Sequence, residues 1–265
     1  MEQSKPKRES ERPGRVSRDP ARDAYETLAS FYDEFTSAQG YLYERWTRQL
    51  LAKAEAAGLR GRRLLDVACG TGLSFLPMLD RGFEVTGCDI SPAMVEVARA
   101  KVGDRARLLV ADMRELPDLG EFDLIWTVND AINYLGGVEE MEATLEGMRR
   151  NLAPEGIVLL DLASLASVRS FVGEEGVVEK GERKFTWRGL EPVEEVAPGT
   201  IGEARFEAVG EAGTAHVHRF RHFPEDEVRA AIEASGLRCV EVFNELGTAL
   251  DEESHTQVVY LCRLS

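Results

Sequence analysis

The sequence predicts an α/β fold in which a doubly wound, mostly parallel seven-stranded sheet carries an inserted antiparallel β-sheet. Between residues 63 and 162, short and almost continuously apolar runs alternate with helical segments, which is typical of parallel strands covered on both faces. Between about residues 176 and 223 the pattern changes to apolar–polar alternation, broken by turn signals such as Pro198-Gly199. This second pattern indicates three or four antiparallel strands.

The individual elements follow from local signals. A helical stretch is predicted over about residues 23–58, where apolar side chains keep helical spacing. Ser91-Pro92 begins another helix, because serine caps the first turn and proline fits into it. Amphipathic patterns predict two more helices, over 138–152 and 224–235. The seven predicted strands of the main sheet cover 63–68, 83–88, 107–111, 122–128, 157–162, 238–245 and 256–263.

The composition limits the classes of partner. The 265 residues carry a formal net charge of −15, which weighs against nucleic acid or an anionic membrane surface as the main partner. No apolar run reaches the length that crosses a membrane. The four cysteines form no CxxC pair, so we expect reduced thiols in a cytoplasmic protein.

The same patterns divide the chain into three parts. Residues 1–22 hold seven Lys or Arg and four Asp or Glu with almost no apolar side chain, so we expect a disordered tail. Residues 23–172 and 224–265 are predicted to form the main α/β domain. Residues 173–223 are predicted to form the inserted β lobe.

The most informative segment is a glycine-rich turn that follows the first strand, at residues 65–72 (LDVACGTG). Glycines at the carboxyl end of a parallel strand let a ligand approach the backbone closely. A dinucleotide site would need a third small residue three positions after the second glycine, and Phe75 occupies that position. The acidic Asp66 before the turn suits a cationic amino acid moiety better than a pyrophosphate.

At these residues the chain resembles the class I S-adenosylmethionine-dependent methyltransferases, which have a Rossmann-like fold. The resemblance extends over residues 25–265. The first motif of the family is matched by Asp66, Ala68, Gly70 and Gly72. The resemblance implies that Asp89, followed by Ile90, accepts hydrogen bonds from the ribose hydroxyls of the cofactor. It also implies that Asp112 accepts one from the adenine amino group, while Met113 packs on the ring.

The family resemblance also assigns aromatic residues to the cofactor. The N-terminal block YETLASFYDEF resembles a helix that covers the cofactor in small-molecule methyltransferases. Tyr32 is predicted to reach the methionine carboxylate, with Trp46 as a second contact. Plain packing of an amphipathic helix is the alternative for both. Trp126, in the fourth strand, is predicted to border the cofactor.

The acceptor side is less defined by the sequence. The family places acceptor-facing groups after the fourth strand, where Asp130 is the candidate base and Tyr134 a candidate positioning residue. The Asn/Asp-Pro-Pro-Tyr/Phe motif of some N-methyltransferases does not occur here. His216, His218 and His222 would share one strand face, but no fourth ligand for a metal is evident, so we expect no metal. One of these histidines facing the acceptor is an alternative.

The predicted reaction is in-line transfer of the methyl group of S-adenosylmethionine to a small molecule, which leaves S-adenosylhomocysteine. An amine acceptor is favoured over a hydroxyl, because no paired base for a phenol is evident. The layout is similar to the small N-methyltransferases that act on amino sugars, in which the inserted sheet covers the acceptor and often helps to form a dimer. Two alternatives remain open: a methyltransferase acting on RNA or protein, and a non-catalytic S-adenosylmethionine-binding module.

Overall fold

The computed structural model describes residues 19–40, 42–211, 213–250 and 256–265, so the predicted disorder of residues 1–18 lies outside it. The helical stretch predicted over 23–58 is three helices: α1 (Pro20–Leu28), α2 (Tyr32–Ala38) and α3 (Tyr43–Ala56). Asp19 caps α1 by accepting a hydrogen bond from the Arg22 amide, and Pro20 occupies the first turn. Residues 20–22, predicted as tail, therefore belong to α1.

The seven-stranded sheet is confirmed. Its strands are β1 (Arg63–Val67), β2 (Glu84–Asp89), β3 (Ala106–Val110), β4 (Phe122–Thr127), β5 (Leu152–Ala163), β10 (Leu237–Asn244) and β11 (Gln257–Leu264). They lie in the order β10-β11-β5-β4-β1-β2-β3. β1 to β5 pair in parallel, whereas β11 is antiparallel to both of its neighbours. The chain order reverses beside β1, where open α/β sheets form a ligand-binding crevice.

Helices cover both faces of this sheet. They are α4 (Leu76–Leu79), α5 (Pro92–Val102), α6 (Val138–Arg150) and α8 (Glu225–Ala234), together with α3. Leu64 and Leu65 are adjacent in β1 and fully buried, yet they belong to two different apolar clusters, one on each face. The double coverage explains why the strands are almost continuously apolar. Within the described ranges, no helix is both long and apolar enough to cross a membrane.

The inserted sheet follows α7 (Leu165–Gly173) and is antiparallel throughout, as predicted. Its strands pair in the order β6-β7-β8-β9, with the bounds Glu175–Lys180, Arg183–Gly189, Ile201–Ala208 and His216–Arg221. Phe185 and Phe206 are buried against Leu28 and Phe31 of the N-terminal helices. The sheet and these helices therefore enclose space above the carboxyl ends of the parallel strands. The division into domains at residues 172 and 223 stays a prediction.

Candidate active site

The turn after β1 places its two motif glycines in the left-handed region for different reasons. Gly70 has φ +53°, and a Cβ added there would meet no atom within 4 Å, so the backbone faces open space. Gly72 has φ +87°, and its added Cβ would lie 2.6 Å from Cζ of Phe75. Ala68 also has a positive φ, of 61°. A ligand can therefore lie against the backbone at Gly70, whereas Gly72 is needed for packing inside the protein.

Asp89 holds this turn and the start of α5 together. Its Oδ2 accepts a hydrogen bond from the Gly70 amide at 2.8 Å, and its Oδ1 accepts one from the Ser91 amide at 2.9 Å. Burial raises the pKa of Asp89 to about 6, although these two bonds favour the ionised form. Each carboxylate oxygen keeps a second acceptor position, so Asp89 can still accept two hydroxyl groups. This arrangement fits the vicinal diol of a ribose.

A cavity of about 650 Å³, here called the cofactor cavity, lies at the carboxyl ends of β1, β2 and β4. Tyr25 of α1 and Tyr43 of α3 line it opposite the glycine-rich turn. The Tyr32 hydroxyl lies 3.1 Å from the Tyr43 hydroxyl and accepts a hydrogen bond from Asn129 Nδ2 at 2.9 Å. Six residues predicted to bind the cofactor line this cavity: Tyr32, Ala68, Gly70, Asp89, Ile90 and Met113.

A second cavity of about 380 Å³ adjoins the first and contains Asp112. Ala68, Ile90 and Met113 line both cavities. Asp112 accepts hydrogen bonds from the backbone amide and from Nε of Arg114, each at 2.9 Å. The Arg114 guanidinium also donates to Asp19, so the loop after β3 is joined to the first turn of α1. Asp112 lies where the predicted adenine acceptor would stand, but Arg114 occupies part of its accepting capacity.

Four other predicted cofactor residues do not line the cofactor cavity: Trp46, Asp66, Gly72 and Trp126. Asp66 is fully buried and accepts a hydrogen bond from Ser74 Oγ at 2.5 Å, and burial raises its pKa to about 7. Ser74 does line the cavity. Trp126 is buried in the sheet, and Trp46 packs in the core beside α3 residues such as Leu50. These buried residues therefore belong to the protein interior and not to the wall of the cofactor cavity.

A third cavity of about 1030 Å³, here called the acceptor cavity, lies between the N-terminal helices and the inserted sheet. Tyr25, Tyr32, Asn129 and Tyr134 line both this cavity and the cofactor cavity. The remaining wall is largely aromatic, with contributions from Phe35, Phe171, Trp187, Phe206 and Phe220. Among the described residues that line it, Asp130 is the one carboxylate, and none is Lys or Arg. The two cavities therefore meet at residues that could align a methyl donor with an acceptor.

Asn129 and Asp130 form a strained turn at this junction. Their φ values are 68° and 63°, in a region that side chains with a Cβ seldom adopt. Asp161 of β5 holds the turn by accepting hydrogen bonds from the Asn129 amide at 2.8 Å and the Asp130 amide at 2.9 Å. Gln257 Nε2 donates to Asp130 Oδ1 at 3.1 Å. Burial raises the pKa of Asp130 to about 6, and burial together with nearby Asp130 raises that of Asp161.

Two of the three histidines of the AHVHRFRHF segment approach one another. His216 and His218 lie on the inner face of β9 with their Nε2 atoms 3.0 Å apart, and His218 lines the acceptor cavity. Nδ1 of His218 lies 2.7 Å from the Tyr134 hydroxyl. His222 follows the end of β9 and instead accepts a weak hydrogen bond from the Gly199 amide at 3.4 Å. In the described part of the chain, no group of three His, Cys, Asp or Glu residues has the arrangement of a metal site.

Polar residues missed by the sequence interpretation attach the N-terminal helices to the main domain. Thr71 Oγ1 donates to Asp33 of α2 at 2.6 Å, and Asp33 also pairs with Lys101 of α5. Glu26 of α1 accepts a hydrogen bond from Ser91 Oγ at 2.7 Å, at the N-terminus of α5. No sequence signal distinguishes these acids from exposed ones. Asp161 did carry a signal, because it is an acid inside an apolar strand.

Comparison with known proteins shows that the chain is related to methyltransferases. A family model described as a methyltransferase domain matches residues 64–156. The chain is 31% identical over 221 residues to the methyltransferase YqeM of Bacillus subtilis, and the match covers 81% of this chain and 86% of that protein. It is 28% identical over 214 residues to the dTDP-4-amino-2,3,4,6-tetradeoxy-D-glucose N,N-dimethyltransferase of Saccharopolyspora spinosa, covering 79% and 85% of the two chains.

A solved structure supports the same grouping. CalS10, an amino pentose methyltransferase from Micromonospora echinaspora solved with S-adenosylmethionine bound, superposes with a TM-score of 0.68 at 25% identity. The superposition covers 87% of this chain and 95% of that one. The fold is thus that of the class I S-adenosylmethionine-dependent methyltransferases. The chain belongs to the methyltransferase family and is a methyltransferase that uses this cofactor.

Proposed function

We propose that this methyltransferase acts on the amine of a small molecule, of the amino-sugar class. The observation that supports this proposal is the acceptor cavity, which adjoins the cofactor cavity. Its wall consists largely of aromatic rings, and Asp130 is the one carboxylate among its described lining residues. Aromatic faces and a carboxylate attract a cationic ammonium group, whereas an anionic group inside this cavity would lack a cationic partner among the described lining residues. The diphosphate of a dTDP-linked amino sugar would therefore remain outside the cavity. The names of the dimethyltransferase from Saccharopolyspora spinosa and of CalS10 support an amino-sugar acceptor.

We further propose how the cofactor is held. Asp89 would accept hydrogen bonds from the ribose hydroxyls, with Gly70 and Ala68 allowing the close approach. Asp112 would accept from the adenine amino group in the adjoining cavity, between Ile90 and Met113. Tyr32 and its neighbour Tyr43 lie on the opposite wall, where their hydroxyls can meet the methionine carboxylate.

The chemistry needs little from the protein beyond alignment. Bound S-adenosylmethionine supplies a methyl group on a positively charged sulfur, which is already activated for displacement. Tyr25, Asn129 and Tyr134 form the shared wall of the two cavities and orient the acceptor nitrogen. Such positioning can contribute about 7–11 kcal/mol to lowering the barrier. Asp130 attracts the acceptor as an ammonium, and the amine must lose a proton before its lone pair can attack.

The test is an acceptor panel incubated with methyl-labelled S-adenosylmethionine. The panel contains dTDP-amino sugars, their hydroxyl counterparts, phenols, total RNA and a protein extract. We expect label on the amino-sugar nitrogen and an increase in KM of more than tenfold for Asp130→Asn. Asp118→Asn, a change of an exposed carboxylate outside the cavities, is the matched control and should leave KM unchanged. Label found only on a hydroxyl, RNA or protein would refute the amine assignment.

We also propose that the protein is cytoplasmic and forms a homodimer through the inserted sheet. The cysteines Cys69, Cys88, Cys239 and Cys262 are free thiols, which is consistent with a reducing compartment. Cell fractionation tests the first statement. Light scattering tests the second, with an expected mass of about twice the 29.4 kDa of the chain. A single species of monomer mass at micromolar concentration would refute the dimer.

A further inference from the structure

The geometry points to a proton-transfer path from the acceptor cavity through Tyr134 and His218 to His216. The path begins at Tyr134, which lines both the cofactor cavity and the acceptor cavity. Its hydroxyl lies 2.7 Å from Nδ1 of His218, and Nε2 of His218 lies 3.0 Å from Nε2 of His216. Both contacts have hydrogen-bond length, so the three groups form a continuous chain.

The hydrogen bonds in this chain have one direction. The Tyr25 hydroxyl donates to the Tyr134 hydroxyl at 3.0 Å. Since a tyrosine hydroxyl carries one proton, Tyr134 donates that proton to Nδ1 of His218. A neutral His218 then carries its own proton on Nε2 and donates it to Nε2 of His216. The chain is therefore ordered to carry a proton away from the cavity.

His218 can transmit a proton because each of its two ring nitrogens is hydrogen-bonded to a neighbour in the chain, Nδ1 to Tyr134 and Nε2 to His216. It is 5% exposed, and burial with the nearby His216 lowers its pKa to about 3. The described ionisable groups that face it are Tyr25 from α1, Tyr134 from the short helix after β4, and His216 from its own strand. Phe171 and Phe206 close the remaining sides. A proton therefore does not rest on His218. It moves on to His216, which is less deeply buried and whose pKa is also lowered by burial.

The transfer balances without any further reactant. An N–H bond of the acceptor ammonium breaks and its proton joins the Tyr134 oxygen. The hydroxyl proton of Tyr134 moves to Nδ1 of His218, and the Nε2 proton of His218 moves to Nε2 of His216. The acceptor nitrogen regains its lone pair, and His216 becomes a cation that carries the transferred proton on Nε2. No electrons are transferred to or from any group.

This inference rests on the proposed amine acceptor and extends it. Each methylation of an amine produces an ammonium, which cannot be methylated again until it loses a proton. A path that removes this proton inside the acceptor cavity allows a second methylation without release of the intermediate. Tyr134, His218 and His216 thus favour dimethylation over monomethylation.

The test compares Tyr134→Phe with Tyr260→Phe on dTDP-4-amino-2,3,4,6-tetradeoxy-D-glucose. Both variants remove one tyrosine hydroxyl, but Tyr134 connects the cavity to His218, whereas the buried Tyr260 of β11 lines neither cavity. At pH 7 we expect kcat of Tyr134→Phe to fall more than tenfold, with monomethyl product accumulating. At pH 9, where more of the acceptor arrives unprotonated, the deficit should shrink below threefold. Tyr260→Phe should lose less than threefold at either pH.

A second variant separates the path from local packing. His218→Phe keeps a ring in place and removes both nitrogens, so it should reproduce the pH profile of Tyr134→Phe. S-adenosylhomocysteine affinity, measured by calorimetry, should stay within threefold in all three variants. Equal losses at pH 7 and pH 9, or equal losses in Tyr260→Phe and Tyr134→Phe, would overturn the path alone. Failure of the wild-type protein to methylate any amine would instead overturn the proposed function, and the path with it.

Discussion

Asp89 should make cofactor binding depend on pH. In the free protein the carboxyl is 7% exposed, and its pKa is raised to about 6. Hydroxyl groups of a bound ribose would donate to the ionised carboxylate, so binding favours the ionised form and lowers this pKa. Affinity should therefore fall as pH drops through about 6, because the proton on Asp89 must be lost on binding.

The size of the effect follows from the pKa. At pH 5, about ten of eleven molecules carry a proton on a group of pKa 6, which weakens the apparent affinity about elevenfold. At pH 7 the same factor is about 1.1. Between these two values of pH the dissociation constant should change about tenfold, or about 1.4 kcal/mol of binding free energy.

The assay is calorimetric titration with S-adenosylhomocysteine at pH 5, 6 and 7, with circular dichroism confirming that the protein stays folded. Asp89→Asn should bind more than tenfold more weakly at pH 7 and show a flat profile. Asp130→Asn is the matched control, because Asp130 has a similar pKa but does not line the cofactor cavity, so its slope should persist. A flat wild-type profile, or a slope that survives in Asp89→Asn, would refute the reasoning.

Three further predictions concern the fold around the site. Gly72→Ala should lower the free energy of unfolding, measured in urea, by more than about 3 kcal/mol, because it combines a positive φ with a Cβ 2.6 Å from a buried ring. Gly70→Ala is its control, because the added Cβ meets no protein atom. This variant should lose about 1–2 kcal/mol and should also bind the cofactor more weakly. Asp161→Ala should lower the free energy of unfolding by about 2 kcal/mol or more, since two amides lose their acceptor. The free protein should melt at a higher temperature at pH 5.5 than at pH 8, because Asp66 stays protonated to about pH 7 when folded but ionises near pH 4 when unfolded.

Specific results would contradict these three predictions. Equal unfolding energies for the two glycine variants would show that Gly72 has room for a side chain. A loss below about 1 kcal/mol in Asp161→Ala would show that water replaces the carboxylate at the turn. For Asp66, stability should fall by up to about 1.4 kcal/mol per pH unit between the unfolded and folded pKa values. A melting temperature that rises over this interval, or an unchanged slope in Asp66→Asn, would contradict that assignment.

The sequence by itself determined the main sheet and the cofactor motifs. Apolar periodicity is a local property, so six of the seven strands could be placed to within one residue at each end. The fifth was predicted five residues too short at its start, because Pro154 and Gly156 are typical of a turn but lie within β5 (Leu152–Ala163). Gly70, Asp89 and Asp112 could be assigned to one site through the resemblance to the methyltransferase family, and this agrees with the rule that the carboxyl ends of parallel strands meet at one edge. The N-terminal helices were less predictable, since the breaks between α1, α2 and α3 depend on how their ends pack.

Only the tertiary structure decided which motif residues face the cavities and which support them. Asp66 and Asp89 are both acids near the end of a strand. Asp66 is buried and hydrogen-bonded to Ser74, whereas Asp89 lines the cofactor cavity. The Tyr25–Tyr134 and Tyr134–His218 hydrogen bonds join residues 109 and 84 positions apart in the chain. Such pairings depend on how the inserted sheet packs against α1, and no local pattern encodes a distance between remote segments. The chemistry of the cofactor could therefore be predicted from the sequence, while the acceptor cavity and its proton path required the fold.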